Sequence, residues 1–194
     1  MDYNKVIEYD SKNALAYNGR GLAKCNLSDY KGAFKDYYKA LEINPLDIEV
    51  YIDCGHANIS LFNFREAAQN FNKVLEIAPN NFRALTGLGN VKSLMSNYKR
   101  AIDCYSKAIE INPMFFDAYY SSGRAEYNLG DYRAAIDDYN KAEVINPKFD
   151  LLYYYRGICK QMIHDINGAC LDWKEASELG NSQAHDLKEK NCGQ

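Results

Sequence analysis

"ALEINP" occupies residues 40–45, "VLEIAP" 74–79, "AIEINP" 108–113 and "AEVINP" 142–147. Pro45, Pro79, Pro113 and Pro147 are the only prolines in the chain, and each lies 34 residues after the last. Proline cannot donate to a helix ladder, and it disfavours helix in the residue before it. The same helix end is therefore written four times at one interval. Self-similarity at a period of about 20–50 residues marks a stacked array of units, not one or two ordinary domains.

Setting the proline at position 32 puts unit starts at Ala14, Ile48, Phe82, Phe116 and Asp150. Position 8 then reads Gly21, Gly55, Gly89, Gly123 and Gly157, and position 20 reads Ala33, Ala67, Ala101, Ala135 and Ala169. Position 24 is Tyr37, Phe71, Tyr105, Tyr139 and Trp173; position 27 is Ala40, Val74, Ala108, Ala142 and Ala176. A glycine inside a helix costs about 1 kcal/mol relative to alanine. Five in register make sense where a second helix comes very close, with the alanine column as its small facing surface and large aromatics around the contact.

Helix starts are also in register. Position 16 is Asp29, Asn63, Asn97, Asp131 and Asp165. Asp and Asn accept hydrogen bonds from the free N–H groups of a first turn. Helix A is therefore expected over about positions 1–14 of each unit and helix B from just after position 16 to the proline. Helix B is apolar or small at helical spacing. Each unit is a helical hairpin, and a lone hairpin cannot bury its apolar face, so the core must run along the stack.

These columns resemble the tetratricopeptide repeat family, whose pattern asks for an aromatic at 4, Leu-Gly at 7–8, Tyr at 11, Ala at 20, an aromatic at 24, Ala at 27 and Pro at 32. The match covers residues 14–181 in five units: 14–47, 48–81, 82–115, 116–149 and 150–181. Position 7 departs, with Arg20, Cys54, Leu88, Ser122 and Arg156, and position 11 carries no tyrosine. The fifth unit has Asn181 in place of proline. The resemblance implies an all-α, right-handed solenoid of antiparallel helix pairs. It also implies a non-enzymatic scaffold that holds an extended peptide or partner helix in a groove lined by helix A. A structural, self-associating module of a larger multi-repeat protein is the alternative.

Both ends read as parts of the same repeat. "DYNKVIEYDS" puts Tyr3 at position 24, so residues 1–13 are the second half of a preceding unit. That suggests a fragment with Met1 added as a start; a short protein with a lone opening helix is the other reading. The face left by the missing half offers one route to self-association. Residues 182–194 read as a capping helix and tail, with Ser182 as N-cap and Leu187 packing where Tyr153 packs one unit earlier.

Chemistry finds no foothold in the sequence. His56, with Asp53 three residues before it, reads as a helix-surface pair; His164 and His185 read as solvated. Glycines stand at packing positions, so no phosphate loop is expected. None of the six cysteines forms a CxxC pair, so neither a metal site nor a cofactor is expected. Cys25, Cys54, Cys104 and Cys159 read as small core residues. A net charge of −3 and a pI near 5.7 argue against a nucleic-acid surface. No run is long and apolar enough for a membrane span, and "MDYNKVIEYD" is no signal peptide.

Function is then expected on a surface. Carried over from the family, the groove positions of helix A put Arg83, Asn90, Tyr120, Arg124, Tyr127, Tyr154 and Tyr155 on the binding face. Tyrosine buries area at low entropy cost and keeps a polar tip, although tyrosine here is also common repeat inheritance. The branch of the family that clamps a terminal carboxylate is rejected: Asn18 with Leu22, then Asp53, then Arg83 with Gly87, leaves only Arg83 in place. Cys170 and Cys192 lie almost equally far from the Gly180–Asn181 turn, and antiparallel helices would bring them level for a disulfide. The protein is expected in the cytoplasm by default, and exported if that bridge forms.

Overall fold

Aspartate or asparagine just before a helical run sets where most of the helices begin. The computed structural model describes residues 2–193; Met1, read above as an added start, lies outside them, as does Gln194. Among the described residues there are twelve helices and no strand. The opening half-unit is α1 (Tyr3–Tyr9). Five pairs of consecutive helices follow, one for each expected hairpin: α2 (Ala14–Asn26) and α3 (Tyr30–Ile43), α4 (Ile48–Ser60) and α5 (Phe64–Ile77), α6 (Phe82–Leu94) and α7 (Tyr98–Ile111), α8 (Phe116–Leu129) and α9 (Tyr132–Ile145), α10 (Asp150–Met162) and α11 (Ile166–Glu178). The chain closes on α12 (Ser182–Asn191).

Two compact units divide the chain, one up to Val91 and one from Lys92, so the boundary falls inside α6. In the first, α1 packs on α2, α2 on α3, α3 on α4 and α4 on α5. In the second, α7 packs on α8, and each helix from α8 to α11 packs on the next, ending at α12.

Helix starts follow the asparagine and aspartate columns with two exceptions. Asp29, Asp131 and Asp165 accept from the N–H of Gly32, Ala134 and Gly168. Asn63 and Asn97 cap no N–H with their side chains. At the last helix the cap is Asn181, accepting from Ala184 at 2.8 Å, and not Ser182, which is the first helical residue.

The turn inside each hairpin has a feature that the sequence conceals. Position 15 is left-handed in all five: Ser28 (φ 62°), Phe62 (59°), Ser96 (59°), Gly130 (82°) and His164 (66°). The N–H of position 16 bonds back to the carbonyl of position 11 each time, as from Asp29 to Lys24 at 2.9 Å and from Asp165 to Lys160 at 2.9 Å. That bond closes a Schellman turn, which needs a left-handed residue between. Only Gly130 is the residue type that adopts it without strain.

The core lies where the columns predict. Trp173, Tyr37, Tyr105, Tyr139 and Phe71, the position-24 residues, are the five largest fully buried side chains. The alanines of position 20 are completely buried around them. What approaches the glycines is sharper than the alanine surface expected. A Cβ at Gly21 would lie 2.6 Å from the Tyr37 ring, at Gly55 2.6 Å from Phe71, at Gly123 2.9 Å from Tyr139 and at Gly157 2.5 Å from Trp173. The glycine makes room for the aromatic ring of its own hairpin.

Position 7, where the family prefers leucine, holds arginine in the first and fifth hairpins for a reason. The Asp36 side chain, almost fully buried, accepts from Arg20 at 2.6 and 2.9 Å and from Lys24 at 2.7 Å; Arg20 also donates to Asn4 of the preceding half-unit. Asp172 repeats the arrangement with Arg156 at 2.7 and 3.0 Å and Lys160 at 2.8 Å, and Arg156 reaches back to Asn140 and Glu143. Burial would raise the Asp36 carboxyl, but the Arg20 and Lys24 hydrogen bonds hold it below the usual carboxylate range.

At the end of the second unit, Ala184 is fully buried and Leu187 packs against the same cluster. A disulfide joins Cys170 on α11 to Cys192 after α12, with Cα atoms 5.7 Å apart. Cys54 and Cys159 are buried free thiols, both raised to about 12 chiefly by burial; Cys25 and Cys104 are half-buried.

Candidate functional site

In the second unit, five of the seven expected site residues come together on α8 and α10. Tyr120 stacks on Phe116 at 5.8 Å and meets Phe149 edge-on at 5.0 Å, so its ring is fixed from behind. Tyr155 is the hub: Tyr154 lies 5.1 Å from it and Tyr127 5.9 Å. The guanidinium of Arg124 stands over the Tyr155 ring at 5.3 Å and over Tyr120 at 6.0 Å. Burial raises the Tyr120 hydroxyl to about 12, partly opposed by the Arg124 charge. Burial also raises Tyr127 and Tyr154. Tyr120, Tyr127 and Tyr154 are therefore neutral donors and acceptors at physiological pH, and Tyr155 offers its ring face to the cation.

Arg124 is exposed, and no carboxylate among the described residues pairs with it. A cation held over two aromatic faces is partly desolvated; Arg124 hydrogen-bonds the Tyr120 hydroxyl and keeps its remaining N–H donors for another group. Arrangement and chemistry suit an incoming carboxylate or carbonyl.

Arg83 and Asn90 belong to the first unit. Arg83 is already paired there, 2.7 Å from Glu49 in an exposed ion pair. Asp53 accepts from Asn18 at 3.1 Å, and the His56 ring stands edge-on to Phe71 at 5.4 Å. His164 and His185 are exposed. Among the described residues no cluster of three or more His, Cys, Asp or Glu could hold a metal, and no helix is long and apolar enough to cross a membrane.

The sequence reading missed position 6 as a packing site. A Cβ at Gly19 would lie 2.4 Å from the Tyr3 ring, and one at Gly87 2.5 Å from Phe71. Both aromatics belong to position 24 of the preceding unit. Ser121, also at position 6, hydrogen-bonds to Tyr105. The column is small in three repeats, Gly19, Gly87 and Ser121, but Asp53 and Tyr155 interrupt it, which hides the signal.

Models of the tetratricopeptide repeat match residues 48–81, 82–115 and 116–149, together more than half of the chain. The chain belongs to the tetratricopeptide repeat family. Its helix pairs stack as an all-α solenoid, and its repeats make it a protein–protein interaction scaffold. Among solved structures of this repeat type, MamA is 25% identical, with 88% of this chain and 96% of that one covered at a TM-score of 0.71. YrrB, described as a TPR protein with an unusual peptide-binding site, is 20% identical over 98% of both chains, TM-score 0.68. A chain of the APC/C hetero-tetramer Cut9–Hcn1 is 18% identical, covering 98% of this chain and 38% of that one, TM-score 0.86. The last two, below 25% identity, speak to the fold alone. No protein of curated function matches the chain in sequence.

One tetratricopeptide repeat carries an internal charge problem. Positions 11 and 23 hold Lys24–Asp36 in the first repeat and Lys160–Asp172 in the fifth, but Glu126 and Asp138 in the fourth. Burial, then Asp138, Asp131 and Asp137, raise Glu126 to about 8, and one of its carboxylate oxygens is buried without a partner. Cys159 of α10, itself uncharged, is the titratable group facing it from the other side. Asp138 is raised by burial and eased by the Ser122 hydroxyl. A raised acid disfavours the folded state once ionised, so stability is expected to be full below about pH 4.5 at this site and to fall as pH rises to about 8. Glu126→Gln should remove that slope and add on the order of 2 kcal/mol at pH 9, after allowing for solvent screening. Urea unfolding at pH 5 and pH 9 reads it; equal gains at both values would contradict the assignment.

Proposed function

We propose that the second unit holds an extended peptide across α8 and α10, with a carboxylate or backbone carbonyl of that peptide seated on Arg124. The observation that carries this reading is the Arg124 guanidinium, exposed, framed by Tyr120 and Tyr155 and lacking a carboxylate partner. Tyr127 and Tyr154 extend the contact surface on either side of Tyr155. Arg and Tyr are the residue types most enriched at the energetic centres of interfaces. Tyrosine loses little side-chain entropy on binding and brings its own hydrogen-bond donor.

Arg83 enters this reading less readily, because Glu49 competes for the same guanidinium. An exposed pair of this kind is worth only about 0–1 kcal/mol, so a partner carboxylate can displace it.

Replacing Arg124 and Tyr154 together with alanine is expected to abolish capture of peptide ligands selected from an immobilised library. The unfolding midpoint should move little, because Arg124 is exposed and Tyr154 only half-buried. Undiminished capture by the double variant would remove the reading. Light scattering across a concentration series separates it from self-association, since a peptide scaffold of this kind stays monomeric.

A further inference from the structure

One patch of the first unit breaks the repeat pattern outside helix A. Position 25 reads Tyr38, Asn72, Ser106, Asn140 and Lys174, so only the first hairpin puts an aromatic there. Position 21 of the same hairpin is Phe34, the largest residue of its column. The two rings stack at 6.0 Å, and Tyr38 remains 60% exposed. With Leu61 at the end of α4 they wall an open hollow of about 680 Å3, lined by α3, the end of α4 and the start of α5. Lys31 and Lys35 stand on the same wall, both exposed and neither with a carboxylate partner among the described residues; Glu66 is the one acid there. The hollow shares no residue with the expected groove set of Arg83, Asn90, Tyr120, Arg124, Tyr127, Tyr154 and Tyr155.

We propose that this hollow binds an acidic peptide segment carrying a large apolar side chain. The apolar side chain enters against Phe34, Tyr38 and Leu61, while carboxylates on either side of it meet Lys31 and Lys35. Stacked aromatics beside an apolar wall favour burial of a ligand's apolar side chain. The hollow's volume falls in the range of small-ligand and peptide-anchor pockets, about 300–1,000 Å3. Two unpaired lysines against one glutamate set the sign of the partner. A nucleic acid fits poorly, because the chain's net charge is −3 and two lysines make no phosphate-tracking stripe.

The probe is a fluorescein-labelled peptide, Glu-Glu-Leu-Phe-Glu-Glu, followed by fluorescence anisotropy. Saturable binding is expected. It should weaken about tenfold or more in the Lys31→Glu, Lys35→Glu double variant, since two attractive exposed pairs become repulsive. Tyr38→Asn, which installs the residue found at this position in the second and fourth repeats, should weaken it by a similar factor, as should replacing the probe's phenylalanine with alanine. Measured in the Arg124→Ala background, where the α8–α10 site cannot contribute, binding should persist and keep its dependence on Lys31, Lys35 and Tyr38. Lack of saturable binding to the unmodified protein, equal affinity in the charge and Tyr38 variants, or loss in Arg124→Ala would each overturn the proposal.

Discussion

Asp172→Ala is expected to lower stability by about 3–5 kcal/mol, the cost of removing one partner from a buried ion pair. Arg156 is 5% exposed and Asp172 4%, so the arginine left behind has little water to turn to. It donates to Asp172 through two nitrogens, to Asn140 and to Glu143. Burial alone would lower the Arg156 pKa; the Asp172 and Glu143 carboxylates more than reverse that and raise it. Without Asp172, the half-exposed Glu143 is the one carboxylate among the described residues still paired with this guanidinium. The pair as a whole need not be stabilising: apolar residues of similar size in both places can serve as well. The double variant Arg156→Met, Asp172→Leu is therefore expected to lose much less than Asp172→Ala alone. Urea unfolding of the three proteins decides it, and a loss under about 1 kcal/mol for Asp172→Ala would mean that water reaches Arg156 after all.

Gly87→Val should destabilise the first unit by about 2–3 kcal/mol. A side chain at 87 gains up to about 1 kcal/mol of helix propensity over glycine. Against that, its Cβ would stand 2.5 Å from Cε1 and Cζ of Phe71, a ring with no exposed surface. A Cβ at Gly55 on α4 would likewise stand 2.6 Å from the same ring edge, so the ring is closely walled on that side too and Phe71 cannot swing aside. Overpacking a filled site typically costs about 1–3 kcal/mol and sometimes more. Phe71→Ala alone should cost about 3–5 kcal/mol. Made together, the two changes should cost clearly less than their sum, because the alanine vacates the space that the valine needs. Additive losses would show that Gly87 is not there for the ring.

The hairpin architecture was legible because it rests on residues with one strong local meaning. Proline ends helices, glycine and alanine admit close neighbours, and a fixed interval aligns them all. Ser28, Phe62, Ser96 and His164 hide their left-handed backbone because only Gly130 carries the usual sign of it. The Arg20–Asp36 and Arg156–Asp172 pairs were hidden for a different reason. Each joins residues 16 apart on facing helices, and position 7 was read as a lost leucine instead of a gained cation. Gly87 was visible only as a position where the carboxylate clamp lacks its cation, which says nothing of the Phe71 ring it admits. The site was legible in part: helical periodicity brings Tyr120, Arg124 and Tyr127 to one face, yet it does not tell which tyrosines brace the arginine and which pack behind it. That depends on Phe116 and Phe149, and on Glu49 being within reach of Arg83.

Position 6 of one repeat is fitted to position 24 of the repeat before it: Gly19 to Tyr3, Gly87 to Phe71, Ser121 to Tyr105, with Tyr155 beside Tyr139. The repeats are therefore not interchangeable. Splicing the fifth directly behind the second would bring a tyrosine ring to the place where Gly87 admits Phe71. Duplication could lengthen such a chain, but shuffling its copies is restricted to junctions that preserve a fitted pair. The order of the repeats is part of what the gene encodes.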